Sequence, residues 1–301
     1  MLREGGIVAI PTETVYGLAA NAFDQGAVLK VFEAKQRPSF DPLIVHVASK
    51  EEVHRLAREL PTGAQELMDA FWPGPLTLVL PKRAEVPDIV TSGLDTVGVR
   101  MPAHPLTLEL LRALEFPLAA PSANPFGYVS PTTAAHVAAQ LGDRVPYILD
   151  GGPCEVGVES TIIGWEGDRW VLFRPGGLPV EAIESVIGSV ANAVKQVLPA
   201  APGMLESHYA PRTPVHVGGI VELLPCFAGK RVGVISFRKT YAARRCVVLS
   251  EHGDLTEAAR GLFAALRALD DGGCVVILAE RFPDEGLGRA INDRLRRAAA
   301  R

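Results

Sequence analysis

Several common chemistries are missing from this 301-residue sequence. Only four cysteines occur (Cys154, Cys226, Cys246 and Cys274), none at Cys-x-x-Cys spacing, so they read as reduced, packed thiols and not as a disulfide framework. The seven histidines include no His-Glu-x-x-His and no joint Cys/His cluster, which sets aside a protein-held zinc and leaves no metal ligands to assign. Neither Gly-x-x-x-x-Gly-Lys-Ser/Thr nor Gly-x-Gly-x-x-Gly is present, so any nucleotide must be gripped by scattered basic and hydroxyl residues. No apolar run approaches the ~20 residues that span a bilayer. Met1-Leu2-Arg3-Glu4 runs into a strand-like stretch with no signal-peptide profile, so a cytoplasmic location away from membranes is expected. Positive charge is not in excess either: the formal net charge is −4, unlike a protein that grips duplex nucleic acid over a broad face.

What is present describes a folded enzyme-sized chain. A composition 48% hydrophobic and 21% charged supports a well-filled core, and the length suggests two domains. Gly6 to Ile10 reads as a buried strand and Gln25 to Lys35 as a helix with Val28, Val31 and Phe32 on one face. Ser49-Lys50-Glu51-Glu52 has the capping-box pattern, followed by Val53, Leu56, Ala57 and Leu60 at helical spacing. Thr62 to Gln65 repeats that start signal. Leu76 to Leu80, Pro117 to Ala120, Tyr147 to Leu149, Ser160 to Ile163 and Trp170 to Phe173 are strand-like. Leu106 to Leu114 is helical, and a helix from Thr133 ends at Gly142, well placed as a C-terminal cap. This order, neither alternating nor segregated, predicts an α/β domain with a twisted mixed sheet of unusual topology.

Between Pro199 and Pro214 four prolines and little periodicity mark a semi-rigid linker. Beyond it come strands at Val232 to Ile235, Cys246 to Leu249 and Cys274 to Leu278. A helix opens at Asp254-x-x-Glu257 and a basic one closes the chain from Leu287 to Ala299. Strand–helix–strand–helix order predicts a small parallel, Rossmann-like α/β unit. The expected division is a catalytic domain at 1–198, a linker or lid at 199–214 and a small domain at 215–301.

Six stretches carry polar chemistry. Pro11-Thr12-Glu13-Thr14-Val15-Tyr16-Gly17-Leu18 ends a strand in hydroxyls and a carboxylate: either a ligand-facing turn or one whose threonines satisfy local backbone groups. Lys35 and Arg37 close a helix, where cations complement the dipole. The proline-bracketed loop after them also fixes a point charge beside a planar fork, a pair suited to polyphosphate. His46, at the end of an apolar strand, is either a satisfied core histidine or a ligand contact. Arg100 follows the short strand Gly98-Val99 and needs an anionic partner, internal or from a substrate carboxylate. Ala119-Ala120-Pro121-Ser122-Ala123-Asn124, with Ser130 beyond, permits close approach and offers hydrogen bonds; Gly157 to Thr161 and Phe173-Arg174-Pro175-Gly176-Gly177 complete the set.

Taken jointly, these stretches resemble the threonylcarbamoyl-AMP synthases with the YrdC-like fold, over essentially the whole chain. The resemblance rests on Pro-Thr-Glu-Thr-Val-Tyr-Gly-Leu, Lys-x-Arg-Pro, Pro-Ser-Ala-Asn, Ser-Pro-Thr, Gly-Val-Glu-Ser-Thr and Arg-Pro-Gly. Pro-Gly-Met-x-x-x-His-Tyr-Ala-Pro and Gly-Leu-Gly-x-Ala-Ile-Asn-Asp-Arg-Leu are similar to the longer, two-domain members. It implies an enzyme that makes L-threonylcarbamoyl-adenylate from L-threonine, bicarbonate or CO2, and ATP, with magnesium held mainly by the phosphates. It implies a catalytic ATP site at Lys35, Arg37, Ser122 and Asn124, with Ser130 and Arg174 assisting and Thr96 and Tyr209 as nucleotide neighbours. Threonine contacts are implied for Thr14, His46, Arg100, Ala120 and Ser160. Asp41 stands where many relatives have asparagine, and a carboxylate beside phosphates repels unless a cation intervenes. Downstream partners would be the proteins that transfer the threonylcarbamoyl group to tRNA, with weak or no direct RNA binding by this chain. Two other uses of such a fold are a double-stranded RNA-binding module, against which the acidic net charge weighs, and a carbamoyl-transferring domain. The latter is expected to carry zinc-knuckle or acylphosphatase-like modules, which this sequence lacks.

Overall fold

A computed structural model of the chain describes residues 1–38, 40–193 and 204–300. The first part runs β1 (Val8–Ile10), β2 (Gly17–Asn21), α1 (Gln25–Lys35), β3 (Ile44–His46), α2 (Ala64–Phe71), β4 (Leu76–Pro81), α3 (Asp88–Thr91), β5 (Thr96–Arg100) and α4 (Pro105–Arg112). It continues with β6 (Leu118–Ala119), α5 (Ala134–Leu141), β7 (Thr161–Glu166), β8 (Arg169–Arg174), α6 (Val180–Ile187) and β9 (Ala191–Asn192). The second comprises β10 (Val215–Val217), α7 (Ile220–Leu223), β11 (Val232–Ser236), β12 (Arg245–Val248), α8 (Leu255–Asp270), β13 (Val276–Ala279) and α9 (Leu287–Ala299).

Among the described residues, β1 to β9 form one mixed sheet in the order β1-β2-β6-β3-β5-β4-β7-β8-β9. The other four strands form a separate sheet, β10-β13-β11-β12, in which every pairing is parallel. This is the mixed-sheet unit followed by a small parallel one that the element order predicts. Residues 199–203 of the proline-rich segment lie outside the described residues.

Local differences from the sequence reading have physical causes. The capping box at Ser49 produces only a 3-10 turn, Glu51–Arg55, because Glu52 accepts from the Ala48 amide and Ala57 leaves to bridge Lys82. The next helix starts at Ala64, not at Thr62, whose carbonyl accepts from the Trp170 indole. Tyr147 to Leu149 contributes an isolated bridge, Ile148 with Ala9, and no strand. The segment read as a polar turn after Pro11 turns into β2 at Gly17, hidden because its small residues Gly, Ala and Ala carry little strand preference. Asp24 and Asp254 cap α1 and α8 by accepting from amides of their first turns.

The two sheets are joined through a shared core. Val15, Val129 and Val158 of the first part pack with Leu262, Phe263 and Leu266 of α8. Gly157, at φ 78°, permits this: a Cβ there would strike the α8 backbone at Arg260. Asp270 accepts from the Tyr128 hydroxyl at 2.6 Å and from the amides of Thr213 at 2.7 Å and Arg212 at 3.2 Å. Burial pushes the Asp270 carboxyl up, but these bonds outweigh it and hold it below its ordinary value. Its contribution is therefore present above the unfolded carboxyl range and is lost as pH falls through the folded value. Asp270→Ala should lower unfolding stability by ~1–3 kcal/mol at neutral pH. An unchanged urea midpoint would show that the junction does not depend on it. No helix among the described residues is long and apolar enough to cross a membrane.

Candidate active site

Strand register gathers the polar stretches. His46 of β3 pairs with Arg100 of β5, and the preceding Val99 pairs with Leu78 of β4. Thr77 of β4 pairs with Ile162 of β7, which pairs in turn with Arg174 of β8. His46, Arg100, Thr77 and Arg174 therefore lie along one row, with Ile162 as the β7 member, and Ser160, just before β7, joins it through its bond to Thr77. Residues distant in sequence meet at one end of the sheet.

On one side of this row stand Lys35 and Arg37. The helix α1 ends with Gln36 in the left-handed region, φ 53°, which turns both cations inward. Lys35 is 1% exposed, and its Nζ donates to the backbone carbonyls of Ser122 and, at 2.6 Å, Asn124. Burial, reinforced by Arg37, lowers the Lys35 ammonium well below its ordinary value despite Asp41. Arg37 donates to the carbonyls of Asp41 at 3.1 Å and Pro42 at 2.8 Å, and its guanidinium lies 2.9 Å from the Asp41 carboxylate. Asp41 thus has its cation built in. Burial lifts its carboxyl above the ordinary range against the pull of Arg37, Lys35 and Arg174. Asn124 donates to the carbonyls of Pro125 and Tyr128, while its buried Oδ1 has no hydrogen-bond partner.

On the other side, the open question about Arg100 resolves to an internal partner. Its Nη2 lies 2.6 Å from a Glu13 carboxylate oxygen, an ion pair whose angle falls short of a hydrogen bond. Nη1 donates to the Thr14 hydroxyl at 2.9 Å and Nε to the Gly74 carbonyl at 3.2 Å. Glu13 also accepts from the Ala103 amide at 3.1 Å. Thr12 and Thr14 share a hydroxyl–hydroxyl bond at 2.8 Å. His46 is held neutral, its imidazole pushed down to about 3 by burial and then by Arg100, and its Nδ1 has no partner.

Ser160 exchanges a 2.8 Å hydroxyl bond with Thr77, and its carbonyl accepts from Arg174 Nη2 at 2.9 Å. Gly176 is required here, since any Cβ would collide with the Glu159–Ser160 backbone. Ser130 donates to Glu159, whose second oxygen accepts from Arg294 of α9 at 2.7 Å. Above these groups lies Tyr209, 1% exposed, with a left-handed backbone at φ 62°. Such strain costs ~1–3 kcal/mol in a bulky residue and persists only when its surroundings over-determine it. Those surroundings are the His208 ring at 4.1 Å, the stacked Phe263 ring at 5.6 Å and the Arg294 guanidinium at 5.0 Å. Burial, then the cations Arg37, Lys35, Arg174 and Arg294, keep His208 well below its ordinary value.

Together these groups surround a cavity of about 50 Å³. Of the residues singled out by sequence, Thr14, Arg37, His46, Arg100 and Ala120 line it. Ser122, Ser160, Arg174 and Tyr209 line it too. Lys35, Asn124, Asp41 and Ser130 stand behind the wall, each bonded or ion-paired to a residue of it or its neighbour. Thr96 pairs with Pro81 at the opposite end of β5 from Arg100 and does not line the cavity. Sequence reasoning gave no role to Thr12, Glu13, Thr77, Glu159 or Arg294. Glu13 and Glu159 were legible only as members of motifs, because their cations lie 87 and 135 positions along the chain.

The comparisons agree along the full length. Residues 1–176 match a family profile described as "Telomere recombination", and residues 178–300 one described as "Threonylcarbamoyl-AMP synthase, C-terminal domain". A threonylcarbamoyl-AMP synthase of Pyrococcus abyssi is 50% identical, covering 99% of this chain and 92% of that one. Its Bacillus subtilis counterpart is 45% identical, covering 99% and 91%. The crystal structure of Pyrococcus abyssi Sua5 complexed with L-threonine superimposes with a TM-score of 0.93 at 48% identity, covering 99% of this chain and 92% of that one.

Proposed function

The chain belongs to the threonylcarbamoyl-AMP synthases, and from that membership we propose that its cavity joins L-threonine, bicarbonate or CO2, and ATP into L-threonylcarbamoyl-adenylate. The observation that carries the reading is that Arg37 and Arg174, with Lys35 bonded to Ser122 of the wall, share one cavity with Thr14, Arg100 and Ser160. The activity is that of a nucleotidyltransferase. The threonine amine, unprotonated, forms a C–N bond to CO2 and its nitrogen releases one proton, or to bicarbonate as a C–O bond breaks and water leaves; either route gives the carbamate. A carbamate oxygen then forms the new bond to the α-phosphorus of ATP, and the bond to the β-phosphate bridge breaks, so pyrophosphate leaves with that electron pair.

Lys35, Arg37 and Arg174 neutralise the polyphosphate, and Ser122, Asn124 and Ser130 orient it, with Asp41 shielded by Arg37. Catalysis of this kind is mostly positioning and charge stabilisation. Glu13, Asp41 and Glu159 are each already ion-paired with an arginine. These carboxylates offer no spare metal cage, which suits magnesium carried by the phosphates, where it withdraws charge from their oxygens. Threonine is received by Thr14, His46, Ala120 and Ser160, and by Arg100 as a cation shared with Glu13.

The cavity is far smaller than the ~300 Å³ or more of an ordinary small-molecule pocket. ATP therefore enters when the segment bearing His208 and Tyr209 swings away, and its return excludes water from a hydrolysis-prone anhydride. In this reading the catalytic domain spans 1–198, the lid 199–214 and the small domain 215–301. The adenylate then passes to proteins that transfer the threonylcarbamoyl group to tRNA. Mass spectrometry of the purified chain should show an adenylate only when threonine, bicarbonate and ATP are all supplied, with labelled bicarbonate carried into it. ATP turnover independent of threonine would sink this reading.

A further inference from the structure

The C-terminal helix α9 reaches into the cavity wall through one side chain that the proposed reaction does not yet use. Arg294 is 0% exposed and bridges the two parts of the chain. Its Nε donates to Glu159 at 2.7 Å, and its Nη1 to the Pro175 carbonyl at 3.0 Å and to Asp293 at 2.8 Å. The guanidinium lies over the Tyr209 ring, its carbon 5.0 Å from the centroid. Asp293 is itself tied to Arg297 at 2.9 Å, and the Arg297 carbonyl accepts from the His208 amide at 3.3 Å. The helix thus holds Arg294 rigidly.

Glu159 is the group this arrangement addresses. It lines the cavity, 6% exposed, and accepts from Ser130 on its other oxygen. The charged and titratable groups around it are Arg294 and Asp293 of α9, Arg174 of β8 and Tyr209. A carboxylate in this position faces the same space as the polyphosphate and would repel it. Among the described residues, its direct ion-pair contact is with Arg294, at 2.7 Å. A buried carboxylate stripped of its cation is strongly unfavourable, and more so beside another anion.

We infer that Arg294 is a positioning residue of the nucleotide site, acting through Glu159: it cancels the carboxylate's charge and fixes the Glu159–Ser160 wall, braced from behind by Ser130, against which the polyphosphate lies. This rests on the reading that the cavity takes ATP. The small domain is then a contributor to ATP affinity by way of a side chain that never touches ATP. The role is electrostatic, so it depends on the ligand's charge.

The test compares ATP with uncharged adenosine by calorimetry on the full-length chain. Arg294→Met should weaken ATP binding by about tenfold or more while moving adenosine binding less than about threefold, because only the phosphates feel Glu159. Adding Glu159→Gln to Arg294→Met removes the exposed charge and should bring ATP affinity back to within about threefold of Glu159→Gln alone. Arg294→Lys keeps the charge without the fork and should keep the ATP-to-adenosine ratio near that of the unaltered chain even where its thermal stability drops. Equal weakening of ATP and adenosine, or no recovery in the double variant, overturns the inference and leaves Arg294 as structural glue. If Arg294→Met does not fold, the ratio in the double variant and in Arg294→Lys decides in the same way. An unaltered chain that binds ATP yet makes no threonine-dependent adenylate sinks the proposed reaction and leaves this inference standing; failure to bind ATP at all overturns both.

Discussion

Lys35→Ala should lower adenylate formation by ~10³-fold or more, the scale set by removing a preorganised charge from a site that stabilises developing negative charge. The same variant should also lose stability. As a helix-end charge Lys35 would contribute ~0.3–1 kcal/mol, and on that footing its removal would leave the fold intact. The structure changes the expectation: Nζ satisfies the Ser122 and Asn124 carbonyls from a buried position, and each orphaned carbonyl costs ~1–3 kcal/mol. Arg37→Ala should be harsher, since it strips the fully buried Asp41 of its ion-pair partner, a loss on the order of 3–5 kcal/mol. The Arg37→Ala, Asp41→Asn double variant separates the two effects. It should recover much of the thermal stability lost by Arg37→Ala and none of the turnover. Recovered turnover would mean that Arg37 serves only to neutralise Asp41 and does not meet the nucleotide.

That contrast shows where the sequence is legible and where it is not. Helices with end signals are read well: α1 and α9 have the bounds their periodicity predicts, and α8 starts at its Asp254 cap. Short strands are legible where β-formers cluster, as at Val8–Ile10 within the strand read from Gly6 to Ile10, and lost where they do not: β2 is built from small residues. The motifs mark residues that the fold gathers around one cavity, Thr14, Arg37, His46, Arg100, Ser122, Ser160 and Arg174 among them. They do not reveal pairing. Arg100 with Glu13, and Arg294 with Glu159, are set by sheet register and by the packing of α9 against the first domain, neither of which is periodic in sequence. Thr96 illustrates the converse: it shares a five-residue strand with Arg100 but sits at the end away from the cavity.

Pairing also reshapes the expectation for amino-acid choice. Arg100 arrives with Glu13 at 2.6 Å, so in the proposed reaction the substrate carboxylate would meet a cation already shared with Glu13, which would supply affinity without distinguishing one amino acid from another. Discrimination falls to the side-chain pocket, where hydroxyls of Thr14 and Ser160 and the unpartnered His46 Nδ1 stand beside the apolar Ile44 and Ala120. Serine lacks only the methyl, which is worth ~1–3 kcal/mol or roughly 10–200-fold. Valine keeps the shape and loses the hydroxyl, leaving buried polar groups unpaired, and a site built around that hydroxyl rejects such an analogue by ~10⁴-fold or more. Serine should therefore be a slow substrate and valine almost none, measured as kcat/KM for pyrophosphate release. If valine outperforms serine, the pocket reads shape, the hydroxyls of Thr14 and Ser160 are satisfied by Arg100 and Thr77 alone, and threonine is selected by its methyl against Ile44 and Ala120.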